Sequence, residues 1–143
     1  MRLRDEAPAK ADEKAPWVER ETLIEATPEE VWEALTDEDR LEEWLAPDVD
    51  LDPYEGGEIA VRDGDGERTG TVETVEEGER FAFTWSRPGE GESFVEVTIE
   101  AIPAGTRVTV VETPMALGTP MAPGGWGPRL ARLERSLRFV LVA

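Results

Sequence analysis

The side chains able to carry chemistry in this sequence are carboxylates, hydroxyls, a single tyrosine at Tyr54, the two lysines and a series of arginines. Cysteine and histidine are both absent. That removes disulfides, thiolate nucleophiles, Cys/His zinc sites, iron–sulfur clusters, His-ligated haem and every triad with a histidine base. Two acidic runs, Asp48-x-Asp50-x-Asp52 and Asp63-x-Asp65-x-Glu67, have the composition of hard-cation loops. A calcium loop of the EF-hand type needs Gly at its sixth position and Glu at its twelfth. Counted from Asp48 those positions hold Pro53 and Ile59, and from Asp63 they hold Arg68 and Thr74. Both runs therefore read as solvated turns, and neither a metal nor a cofactor is expected. Two carboxylates could share acid–base work if one were desolvated. Acids are spread so evenly over residues 1–112, however, that no pair stands out by spacing.

The other conspicuous residues are aromatic. Tryptophan has a large apolar body with one donor and suits an aromatic or lipid ligand. The plainer reading is that Trp32, Trp44, Trp85 and Trp126 fill a core. Choosing between these readings requires the elements that position them. A strand is expected at Val18–Ala26, with imperfect alternation at Leu23-Ile24. Thr27-Pro28-Glu29-Glu30 then has the signature of a helix start: Thr27 can cap, Pro28 suits the first position and Glu30 completes a capping box. Val31, Trp32 and Leu35 fall on one side of this helix. Asp37 or Asp39 opens a second, with Leu41, Trp44 and Leu45 as its apolar stripe, and Pro47 ends it.

From there the chain reads as a meander. A weak strand at Val49–Leu51 precedes turn signals at Pro53 and Gly56-Gly57. Strands follow at Glu58–Arg62, Thr69–Val75, Arg80–Ser86, Phe94–Ile102 and Arg107–Glu112. They are joined by turns at Asp63–Gly66, Glu77-Gly78, Pro88–Glu92 and Ala104-Gly105. Phe81, Phe83 and Trp85 share one face of their strand; Val95, Val97, Ile99 and Ala101 share one face of the next, and Val108 and Val110 one face of the last. Residues 114–128 are rich in Pro and Gly and read as loop. Leu130, Leu133, Leu137 and Val140/Leu141 then recur at helical period, with Arg129, Arg132, Arg135 and Arg138 on the other faces.

This order predicts an α+β fold: a curved antiparallel sheet gripping a long C-terminal helix, with two short helices between the first and second strands. The last helix is the only later element long enough to cover the sheet's apolar face. A twisted meander curling around it leaves space where a pocket can form. Ligand-binding candidates are Trp44, Phe83, Trp85, Val97, Val110, Leu130 and Leu133. No residue is assigned a catalytic role.

Composition bounds the partners. The formal charge is −18, which argues against phosphate-backbone binding, so no nucleic acid is expected. Residues 113–143 hold four Arg and one Glu, a surplus of +3 that leaves −21 on residues 1–112. An acidic surface with far more Arg than Lys is accounted for by solubility, salt adaptation or GC-rich coding. No run approaches the ~20 apolar residues of a membrane-spanning helix, and the first residues lack the apolar stretch of a signal peptide. The expectation is a cytoplasmic protein: a mobile tail over residues 1–16 and one domain over residues 17–143.

Several short motifs resemble the START-like, or SRPBCC, superfamily, whose helix-grip fold is also that of the birch-pollen allergens. They are Glu25-Ala26-Thr27-Pro28-Glu29-Glu30-Val31-Trp32-Glu33-Ala34-Leu35-Thr36, Leu41-Glu42-Glu43-Trp44-Leu45, Gly56-Gly57, Phe83-Thr84-Trp85, Gly105-Thr106-Arg107-Val108-Thr109-Val110 and Gly125-Trp126. The resemblance covers roughly residues 17–141. It is strongest to the branch named for homologues of a heat-shock-chaperone ATPase activator. It implies a scaffold for apolar or aromatic small molecules. Some branches of the superfamily carry lipids and some cyclise polyketides. No fixed catalytic motif transfers to any position here. The chain departs from the superfamily in its acidity, its lack of histidine and its apolar end, Phe139-Val140-Leu141-Val142-Ala143. That end is expected to be buried against the sheet or against a second subunit or other protein partner. Three readings stay open: a binder of a hydrophobic small molecule, a protein-interaction module acting on a chaperone or regulator, and a cyclase- or dehydratase-like enzyme using a buried carboxylate.

Overall fold

The computed structural model of the chain describes residues 17–64, 66–115 and 125–142, with side chains as far as Leu137. The expected tail, most of the Pro/Gly-rich loop, Asp65 and the side chains of the apolar end lie outside the described residues. The order of elements is β1 (Val18–Ile24), α1 (Pro28–Thr36), α2 (Glu38–Trp44), β2 (Asp48–Leu51), β3 (Glu58–Asp63), β4 (Gly66–Glu76), β5 (Arg80–Ser86), β6 (Ser93–Ile102), β7 (Gly105–Pro114) and α3 (Trp126–Val142). The seven strands form one antiparallel sheet in the order β1-β7-β6-β5-β4-β3-β2. The chain meanders through β2–β7, and β1 closes the far edge beside β7.

Local chemistry sets the helix starts. The Glu30 amide donates to Thr27 Oγ1 at 3.1 Å while the Thr27 amide donates to Glu30 Oε1 at 3.0 Å, a complete capping box with Pro28 in the first turn. Asp37 ends α1 and caps α2, its Oδ1 accepting from the amides of Asp39 and Arg40. The closing helix starts at Trp126, earlier than the proline- and glycine-rich composition of residues 114–128 indicated.

Sheet register sets which side chains meet. One inward row runs Val72, Phe83, Val95 and Glu112; the row beside it runs Gly70, Trp85 and Ser93. Gly70 is required: a Cβ there would overlap the Thr84 carbonyl, so the strands approach too closely for any side chain. A register shift between Val72 and Thr74 adds a bulge that bends β4. On β6 the inward face is Ser93, Val95, Val97 and Ile99, and the alternation stops before Ala101, which is exposed. The inward residues form one core with Val31, Ala34 and Leu35 of α1, Leu41 and Trp44 of α2, and Trp126, Leu130, Leu133 and Leu137 of α3.

On the outer surface, arginines bridge acids from neighbouring strands. Arg62 meets Asp48, Asp50 and Glu67 at 3.0–3.3 Å, and Arg107 meets Glu21 and Glu100 at 2.7 and 2.6 Å. Arg80 binds Glu76 and Glu96, whose hydrogen bonds raise its pKa above the ordinary value. These exposed pairs each contribute little, and −18 remains after every Lys and Arg has been counted against an acid. Salt should therefore stabilise the protein, because the Debye length falls from ~10 Å at 0.1 M to ~3 Å at 1 M and screens the self-repulsion. The melting temperature is expected to rise over that range of sodium chloride; a flat or falling trend would show that repulsion between the acids is negligible.

Candidate functional site

The aromatic face of β5 organises the interior. Trp32, Phe81, Phe83, Trp85 and Trp126 form a continuous ladder of rings with centroids 5.2–6.3 Å apart. The first three contacts are tilted or edge-on, as ring quadrupoles favour. The last differs: Trp126 stacks on Trp85 at 5.6 Å with 17° between the planes.

A cavity lies against this ladder, walled by Leu35 of α1, Leu41, Trp44 and Leu45 of α2 and its cap, Ile59, Phe81, Phe83 and Val97 of the sheet, and Trp126 of α3. Its wall is wholly apolar. The Trp44 indole N–H points away, donating to the Ala34 carbonyl at 2.9 Å. The free volume is only about 10 Å³, the space of one water molecule, and a water there would find no polar partner.

At the Trp126 end the apolar wall gives way to a buried polar cluster. Glu112 is 0% exposed. Its Oε2 accepts from Trp85 Nε1 at 2.9 Å and from Ser93 Oγ at 2.6 Å, and its Oε1 accepts from Trp126 Nε1 at 2.9 Å. The carboxylate thus ties three strands and a helix together through donors it needs once removed from water. Two buried arginines flank the stacked indoles. The Arg68 guanidinium lies 5.0 Å from the Trp85 ring, and that of Arg129 lies 5.7 Å from both Trp85 and Trp126. Burial lowers the Arg129 pKa and the Arg68 charge adds to this, while Asp63, accepting from the guanidinium at 2.7 Å, acts in the opposite direction. Arg129 Nε also donates to the Leu45 carbonyl at 2.8 Å, and Arg132 Nε to the Trp44 carbonyl at 3.1 Å. Two cations of α3 therefore sit on the carbonyl end of α2, where the helix dipole favours them.

Of the residues singled out from the sequence, Trp44, Phe83 and Val97 are in the cavity wall. Trp85 lies beside it, beneath Trp126, with its N–H on Glu112. Val110, Leu130 and Leu133 are buried in the surrounding core rather than in the wall. Sequence reasoning missed Glu112, although its spacing held the signal: it follows Val108 and Val110 at period two and so shares their inward face. Arg68 carries the same signal on β4, two residues before Gly70 and four before Val72. Arg129, grouped in the sequence with the arginines of the outer helix faces, is a correction. It is buried, because the first turns of α3 face both Trp85 and the end of α2. Within the two acidic runs, Asp48 and Asp50 pair with Arg62, and Asp63 pairs with Arg129. Among the described residues no acidic cluster has the arrangement of a metal site, and no helix is long and apolar enough to cross a membrane.

The profile of the family described as Activator of Hsp90 ATPase homolog 1-like protein matches residues 25–138. The chain belongs to this family. The matched span runs from the residue before Ala26-Thr27-Pro28 almost to the end of α3 and includes every wall residue of the cavity. Among solved structures, a protein of Mesorhizobium loti superposes with a TM-score of 0.74 at 25% identity, covering 85% of this chain and 96% of that one. DynU16, a protein in the dynemicin biosynthetic locus, gives a TM-score of 0.74 at 29% identity over 86% of this chain; the match spans 47%, about half, of DynU16. CalU16 of Micromonospora echinospora shares the fold, with a TM-score of 0.66 at 22% identity over 85% of this chain and 73% of that one. A search of curated protein sequences finds no match.

Proposed function

We propose that this member of the family binds an apolar, partly flat small molecule between the sheet and α3. The observation that carries the reading is the wholly apolar cavity walled by Trp44, Phe81, Phe83 and Trp126 where sheet, α2 and α3 meet. Such a wall rewards rings and branched aliphatics and offers nothing to a phosphate or a sugar. The family assignment supports the reading. So does the 29% identity to a protein in a biosynthetic locus, a setting concerned with small molecules. The closed cavity must widen to admit a ligand, so the apparent affinity is reduced by the fraction of molecules already open.

Native mass spectrometry of the protein purified from its own host tests this directly, and a retained small molecule is the expected result. The dye ANS should bind the native state with fixed stoichiometry and quench part of the tryptophan emission. Val97→Phe, which fills the wall, should weaken ANS by about tenfold, equivalent to about 1.4 kcal/mol, while the melt stays cooperative. A native protein that carries no small molecule and binds no ANS would overturn the proposal.

A further inference from the structure

The cavity has room for about one water molecule, so a ligand needs one of its walls to move, and α2 is held differently from the other two helices. α1 starts in a complete capping box and packs on β6, β7 and α3. α3 buries Trp126, Leu130, Leu133 and Leu137 and is bonded to Glu112 and Asp63. α2 has only seven residues, well short of the ~12–15 at which a helix becomes stable by itself. Yet α2 and its cap supply Leu41, Trp44 and Leu45 to the cavity wall. What keeps α2 in place is therefore its neighbours.

Its two sides are held by different chemistry. Toward α1 and α3 the bonds join buried groups: Trp44 Nε1 donates to the Ala34 carbonyl and Arg129 Nε to the Leu45 carbonyl. Breaking these strands polar groups away from water, which costs the desolvation of each. Toward the sheet, α2 lies along β2, the edge strand. There the outward amides of Leu51 and Val49 donate to the carboxylates of Glu38 and Glu42, at 2.8 and 3.1 Å. The two glutamates are one helical turn apart and exposed, so water replaces both partners when α2 lifts. Leu51 is the register partner of Ile59, which places this seam one strand from the cavity wall.

We propose, building on the reading that the cavity binds a small molecule, that α2 is its lid and that Glu38 and Glu42 latch the lid to the edge of β2. The lid swings off β2 about its bonds to α1 and α3 and widens the space between Leu41 and Ile59, which line the cavity on either side of the seam. The apolar surface opened in this way is the surface that the ligand covers. Latched and ligand-bound forms exclude each other, because the latched cavity is too small. Weakening the latch raises the open fraction. It therefore raises the affinity and the association rate by one common factor and leaves the dissociation rate unchanged.

The test follows ANS binding by stopped flow to the wild type and to two paired variants. Glu38→Ala with Glu42→Ala removes both acceptors. Glu38→Gln with Glu42→Gln keeps an acceptor oxygen at each position and makes the same change in net charge, which controls for attraction of the anionic dye. The alanine pair is expected to bind ANS roughly 5- to 100-fold more tightly than the glutamine pair, the combined effect of two ordinary hydrogen bonds, with the whole gain in the association rate. Hydrogen exchange on the wild type needs no substitution: ANS should speed exchange of the Val49 and Leu51 amides and leave those of β5 and β6 protected. Equal binding by the two pairs, a gain confined to the dissociation rate, or Val49 and Leu51 amides that stay protected with ANS bound overturns the lid and leaves the cavity reading intact. A wild type that binds no ANS and retains no small molecule in native mass spectrometry overturns both.

Discussion

Glu112→Ala is expected to destabilise the protein by about 3–5 kcal/mol, the range seen when one partner is removed from a buried charged network. The substitution removes the acceptor of three buried donors, the indole N–H groups of Trp85 and Trp126 and the Ser93 hydroxyl. Against a typical total of ~5–15 kcal/mol, such a loss places the variant near its unfolding transition at physiological temperature. Glu112→Gln refines the test because it keeps the volume and one acceptor oxygen while turning a donor NH₂ toward a donor. It should cost less than alanine and more than a surface change. Trp126→Phe deletes the N–H along with part of the ring, and the share of its loss that comes from the N–H should be less than additive with Glu112→Ala, by ~0.5–3 kcal/mol, as for residues in contact. Denaturant midpoints at constant slope measure all of these. A loss under ~1 kcal/mol for Glu112→Ala would mean that the carboxylate is not what joins α3 to the sheet.

The second large effect is expected on α3. Leu133 and Leu137 are both 0% exposed and project from the helix into the core shared with the sheet. Truncating Leu133 to alanine removes three heavy atoms from a close-packed region, and the expected loss is about 2–5 kcal/mol, set by how far the neighbours relax into the cavity. Arg135 lies on the exposed side of the same helix, and Arg135→Ala should stay within ~0.5 kcal/mol. Equal losses at the two positions would show that this helix is not packed on the sheet through its leucine face.

The two experiments separate what is local from what is not. Everything written in short-range interactions could be read along the chain. The capping box at Thr27 and Glu30, a cap at Asp37 or Asp39, the alternation of Phe81, Phe83 and Trp85, and the leucine stripe of α3 each depend on partners close in sequence. Their order was enough for an antiparallel sheet covered by a C-terminal helix, because only one element could shield the apolar face. The polar centre was of another kind. Trp85, Ser93, Glu112 and Trp126 come from β5, β6, β7 and α3, and they converge only because register brings two inward rows together. In a chain with 33 acidic residues, nothing near Glu112 in sequence distinguishes it from a solvated neighbour except its parity with Val108 and Val110. The burial of Arg129 likewise follows from where the start of α3 crosses the end of α2. So does the closure of the cavity to the volume of one water, since packing volume is a property of surfaces meeting in space. By itself the sequence determined which elements form and which faces are apolar. The tertiary structure alone decided which acid loses its water, which arginines follow it inside, and how little room remains beside them, because burial and hydrogen-bond partners are set by register and helix packing over separations that no local pattern spans.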